Sequence, residues 1–127
     1  MIDDAGVARL FQGWADAVAS GDSEAVADLY AEDALLLPTL SAEARRDHAA
    51  IAAYFQAFLA RHPSAEVVDR QVIPGCTEVV DAGSYRFRFH DDHGRDSGEV
   101  LARYTLIYRH DGRGWRLVHH HSSLAPG

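Results

Sequence analysis

Three consecutive histidines, His119-His120-His121, followed by Ser122 and Ser123, are the densest set of groups in this chain able to move a proton near neutral pH. On a strand, His119 and His121 point one way while His120 and Ser122 point the other. With Ser122 turned into an interior, His120 becomes a general base or a hydrogen-bond donor. Counted from Trp115 and Leu117 as core residues, alternation turns His119 and His121 inward instead. The i, i+2 spacing of His119 and His121 could hold a metal with His90 as third ligand. The usual zinc spacings are absent, however, and the expectation is no metal and no cofactor. Arg103 lies mid-strand with Leu101, Thr105 and Ile107 on its own face. A guanidinium among apolar neighbours needs a partner. That partner is either a ligand carboxylate gripped bidentately or an internal acid such as Asp81 or Glu99. Covalent chemistry has little support. Cys76 follows Pro74-Gly75 with no base nearby, and Ser122 and Ser123 lack a nucleophile-elbow motif. Asp91, Asp92 and Asp96 read as solvated charge on a hairpin tip, and Asp33 and Asp47 as turn and cap residues.

These residues must be positioned by two kinds of element. Residues 1–62 are Ala-rich with helical periodicity; residues 65–123 alternate with period two and are rich in Val, Tyr, Phe, Arg and Thr. Val7, Leu10, Phe11, Trp14 and Val18 form one apolar helical stripe, capped by Asp3 or Asp4 and closed by Gly21. Asp22 or Ser23 opens a short second helix with Val26, Leu29 and Tyr30 on its apolar side. Asp33 to Pro38 reads as a strand. Asp47 caps a third helix carrying Ile51, Tyr54, Phe55, Phe58 and Leu59, ended by Arg61-His62-Pro63. Trp14, Tyr30 and Tyr54 are then core or cleft wall. Four strands follow near 65–73, 77–90, 99–110 and 115–122, joined by turns that favour antiparallel pairing. The expectation is one domain over residues 1–127, of the α+β class, with three N-terminal-half helices on a curved antiparallel sheet. The 99–110 strand is apolar on both faces, so both need cover. Helices cover one, and a second subunit meeting Tyr104, Leu106 and Tyr108 covers the other, which predicts a homodimer.

Composition excludes several classes. With 127 residues, 47% of them hydrophobic and 24% charged, the chain is long enough for a core of its own. Twelve basic against nineteen acidic side chains leave a formal charge of −7, unsuited to a nucleic-acid backbone. A single cysteine excludes an internal disulfide framework. No run reaches the ~18 apolar residues of a membrane span, and Met-Ile-Asp-Asp does not open a signal peptide. The expected location is cytoplasmic, with no membrane partner.

The element order, together with Leu36-Leu37-Pro38-Thr39-Leu40-Ser41, Ala102-Arg103-Tyr104-Thr105 and Trp115-Arg116-Leu117-Val118-His119-His120-His121-Ser122-Ser123, resembles the nuclear-transport-factor-2-like superfamily. Within it, the chain is most similar to the SnoaL-like group and to bacterial proteins like the association domain of calcium/calmodulin-dependent protein kinase II. The resemblance implies a cone of bent sheet wrapped by three helices, with a pocket at the wide end and dimers through the sheet. It also implies that the face of Arg103 looks into the pocket. Where the kinase association domain carries pocket arginines, this chain has Tyr85, Thr105 and Ser122. The chain has no lysine and no kinase motif, so the likeness concerns the oligomerising module alone. Superfamily members differ in chemistry, so function rests on the pocket. The expected ligand set is Arg103, Tyr85, Thr105, His120, Ser122 and Tyr54, around a small organic acid or polar metabolite. The alternatives are a cofactor-independent lyase or isomerase with His120 as its proton-transfer group, or an assembly module without catalysis.

Overall fold

A computed structural model of the chain describes residues 1–126. Local chemistry starts each helix where the sequence places it. The Asp3 carboxylate accepts from the Gly6 amide at 2.7 Å and caps α1 (Asp4–Ser20), and Gly21 closes it in the left-handed region at φ 78°. Asp22 caps the short α2 (Ser23–Ala27), and Asp47 caps α3 (His48–Leu59) through the Ala50 amide. The second helix is shorter than its apolar pattern suggests. Tyr30 leaves it to begin β1 (Tyr30–Leu37), because the Leu117 amide bonds the Leu29 carbonyl and draws the chain into the sheet.

Four longer strands follow: β2 (Ser64–Ile73), β3 (Glu78–His90), β4 (Asp96–His110) and β5 (Trp115–Leu124). The sheet order is β1-β5-β4-β3-β2, with β2 through β5 antiparallel and β1 added at the edge parallel to β5. The parallel pairing arises because β1 reaches β5 across the helical half of the chain, not through a hairpin. No helix among the described residues is long and apolar enough to cross a membrane.

Helices cover one face of the sheet. Under α1 and α3 lie Tyr85, Phe87 and Phe89 of β3, and Ala102, Tyr104, Leu106 and Tyr108 of β4, all buried with Phe11, Trp14, Ile51 and Phe55. Tyr104, Leu106 and Tyr108 are therefore core residues and not a subunit contact. The Phe11 ring lies 6.1 Å from that of Tyr104, so the bulky parity of β4 fills the space beneath α1. The outward face carries the other parity: Leu101, Arg103, Thr105 and Ile107.

Two bulges decide which polar side chains join the core. In β2, Val68 is an extra residue between Val67↔Tyr85 and Asp69↔Ser84. It turns Asp69 outward and Arg70 inward. In β5, Val118 is an extra residue between Leu117↔Tyr108 and His119↔Ile107. Leu117 and His120, three residues apart, thus share the inner face: His120 and Ser122 are the inward pair, and the count from Leu117 fails because the extra residue intervenes.

Candidate functional site

The β5 bulge presents His120 to a cleft between α1, α3 and the sheet. The cleft is lined by Trp14, Leu36, Pro38, Thr39, Tyr54, Phe55, Phe58, Tyr85, Phe87, His120 and Ser122. None of these side chains is an acid or an arginine. The free space is about 10 Å³, close to what one water molecule requires. A larger groove of about 610 Å³ lies by β1 and the β4–β5 turn. It is open, and four of its charged groups pair with one another: Asp33 with Arg109 at 2.9 Å and Asp111 with Arg116 at 3.3 Å. The aromatic cleft is the better candidate site because its polar groups are buried and ordered.

A continuous hydrogen-bond chain runs through it. The Trp14 indole donates to Tyr30 Oη at 3.1 Å, and Tyr30 Oη lies 2.7 Å from His120 Nδ1. On the other side of the ring, His120 Nε2 is 3.0 Å from Tyr85 Oη, which donates to Ser122 Oγ at 2.7 Å. Ser122 Oγ in turn bonds Thr39 Oγ1, half-exposed at the cleft mouth. Burial pushes the His120 pKa down to about 3, with the neighbouring His119 and His121 adding to the effect. Burial also raises the Tyr30 and Tyr85 hydroxyls well above their usual value. At neutral pH every member of the chain is uncharged.

Tyr54 forms the outer wall, its ring stacked on Phe58 at 5.7 Å, with the Arg45 guanidinium 5.8 Å from its centroid. Burial lifts its hydroxyl to about 12. Four of the six expected ligand residues, Tyr54, Tyr85, His120 and Ser122, thus meet in one cleft. Arg103 and Thr105 do not. Arg103 is exposed on the outer face opposite Ser84 and Ser123, and Thr105 lies on that same face opposite Ala82 and His121. Neither internal acid serves Arg103: Glu99 pairs with Arg86 and Arg88, and Asp81 with Arg70. A guanidinium in water needs no partner, so the clamp and the salt bridge both lose their premise. His119 and His121 also face outward, and the third metal ligand considered with them, His90, pairs with Asp96 at 3.5 Å.

A second buried polar cluster lies further along β3. The Asp81 carboxylate, fully buried, accepts from Arg70 Nε at 3.1 Å and from the Tyr104 hydroxyl at 2.8 Å. Its other oxygen, Arg70 Nη2 and the Tyr108 hydroxyl are buried without partners among the described residues. Burial raises the Asp81 pKa against the opposing pull of Tyr104 and Arg70. Sequence reasoning missed this cluster, although a signal exists. Asp81 shares the parity of Val79, Tyr85, Phe87 and Phe89, an acid on an aromatic face. Arg70 carried no such signal, because the bulge that turns it inward is invisible in an alternation count.

The family model of the calcium/calmodulin dependent protein kinase II association domain matches residues 3–126. A Xanthomonas campestris structure provisionally assigned to that association domain shares 41% identity, with a TM-score of 0.91 over 99% of this chain and 90% of its own. A nuclear-transport-factor-2-like protein with a cystatin-like fold from Novosphingobium aromaticivorans is 20% identical, with a TM-score of 0.77 over 100% of this chain and 93% of its own. A Streptomyces avermitilis member of the same broad family, provisionally named a dehydratase, is 15% identical, with a TM-score of 0.81 over 95% of each chain. At those lower identities the likeness is one of fold. No curated protein matches the chain.

Proposed function

Because the chain belongs to the calcium/calmodulin dependent protein kinase II association-domain family, we propose that it is a homodimeric domain that holds a small, uncharged polar molecule in its aromatic cleft. The observation carrying the ligand half is the buried chain of neutral hydrogen-bonding groups that ends on Ser122 and Thr39 at the cleft mouth. Aromatic walls with a few placed hydroxyls suit a small ligand, and the absence of a lining cation disfavours an organic acid. The free space admits about one water, so a larger molecule enters by displacing the loop between Pro38 and Arg45, pinned at its base by the Leu36–Arg45 bridge. The cleft supports the lyase reading less: burial lowers the His120 pKa to about 3 and the imidazole is bonded at both nitrogens, so it has little drive to take a proton.

The association half rests on the outer face. There Leu35 and Leu37 of β1, Val80 and Ala82 of β3, and Thr105 and Ile107 of β4 lie on one face, half-buried in the isolated chain. Beside them the Glu66, Arg86, Arg88 and Glu99 ion pairs form a polar margin, the arrangement of an interface core and rim. Native mass spectrometry of untagged protein tests both halves. The expected result is a dimer carrying a non-covalent adduct of a few hundred daltons or less, released on unfolding. A monomer at micromolar concentration overturns association. A bare dimer whose melting temperature no neutral fragment raises overturns the ligand.

A further inference from the structure

Six side chains carry the cleft's hydrogen bonds inward to outward, and one of them can only donate. An indole N–H has no acceptor role, so Trp14, itself buried, must give its hydrogen to Tyr30 Oη. If His120 carried its proton on Nδ1, Tyr30 would receive two donors and its own hydrogen would be left in the core without an acceptor. A buried donor without an acceptor is costly, because it has given up its bond to water for nothing. Tyr30 therefore donates to Nδ1, and the imidazole proton sits on Nε2. Nε2–H donates to Tyr85, and Tyr85 donates to Ser122, whose hydroxyl adjoins that of Thr39. Carried one step further in the same sense, Ser122 donates to Thr39 and leaves the Thr39 hydrogen for an occupant of the cleft.

We propose that Trp14 sets the direction of this chain, so that Thr39 meets the cleft's occupant as a hydrogen-bond donor and selects a neutral carbonyl compound with an apolar ring. This rests on the small-molecule reading above. Bonds pointing the same way polarise one another, which strengthens the last donor in the series. The aromatic pair of Tyr54 and Phe58 offers ring faces beside it, and no lining side chain supplies a charge that an ion would need. Trp14 acts as a positioning residue, its ring edge-on to His120 at 5.5 Å, and Thr39 as the specificity-determining contact.

Long-range proton–nitrogen NMR on the full-length, isotope-labelled protein reads the tautomer directly, and acetophenone and ethylbenzene serve as matched probes with and without a carbonyl. The expected results are an Nε2–H His120 and binding of acetophenone in preference to ethylbenzene. Thr39→Val should weaken acetophenone by about three- to tenfold and leave ethylbenzene unchanged, the loss of one neutral hydrogen bond. Trp14→Phe should raise the Nδ1–H population; should that variant not fold, the wild-type tautomer decides the direction alone. An Nδ1–H His120 in the wild type overturns the proposal. So does equal binding of the two probes, or equal loss of both on Thr39→Val. If neither probe binds, the ligand half falls together with the small-molecule reading, while the tautomer still judges the direction.

Discussion

His120 holds one acceptor bond from Tyr30 and one donor bond to Tyr85, which leaves no place for a second proton. Adding one would set two donors against each other across 2.7 Å in a buried site. Unfolded, the same imidazole protonates below about 6.5. Acid therefore draws the equilibrium toward the unfolded chain: stability is complete above pH 6.5 and is lost progressively down to the folded value of about 3. At ~1.4 kcal/mol per pH unit, the loss between pH 7.5 and 5 should be about 2 kcal/mol. This window lies above the range in which ordinary carboxylates titrate. His119, also shifted down by burial, adds in the same direction. Urea melts of wild type and His120→Gln across this window check the attribution; an unchanged slope in the variant would assign the acid sensitivity elsewhere.

At the scale of the element, the bulges matter more than the strands they interrupt. The β2 bulge brings Arg70 under the sheet to meet Asp81, and it does so with its backbone pressed against β3. A Cβ at Gly83 would stand 2.1 Å from the Asp69 carbonyl oxygen. Gly83→Ala should force β2 away from β3 and cost about 2–4 kcal/mol, since the Arg70–Asp81 pair is disturbed with it. Gly13→Ala is the control. Gly13 lies in the exposed interior of α1 with nothing within 4 Å of the added carbon, and the change should stabilise by about 0.5–1 kcal/mol. Denaturant midpoints of the two variants measure the difference. A Gly83→Ala protein as stable as wild type would mean that β2 does not lie so close.

For the whole molecule, the question is which face of one sheet meets helices and which is left for the proposed second copy. Leu106 and Ile107 are adjacent in β4 yet belong to opposite faces, the first fully buried and the second half-covered in the single chain. Leu106→Glu should prevent folding, because the charge would lie beneath α1. Ile107→Glu should keep the circular dichroism of the folded chain and yield monomers, because its charge would lie only in the proposed subunit contact. Light scattering joined to circular dichroism separates the outcomes; a folded dimer of Ile107→Glu would refute the outer-face contact.

The sequence by itself determined the element order, the Asp47 cap, the other two helix starts to within one residue and the helical glycine stop, because these depend on side chains within a turn of the backbone they bond. It also brought Tyr54, Tyr85, His120 and Ser122 into one candidate set. Tertiary structure alone decided the rest. Beta alternation specifies pairs of faces without saying which is inside. A strand apolar on both, like Leu101 to Tyr108, is assigned only when α1 packs on it. An inserted residue such as Val68 or Val118 reverses the parity beyond it without any mark in the hydrophobic pattern. Arg103 thus came to lie in solvent and Arg70 beneath the helices, and a pocket expected to hold an acid became one built of neutral hydrogen bonds.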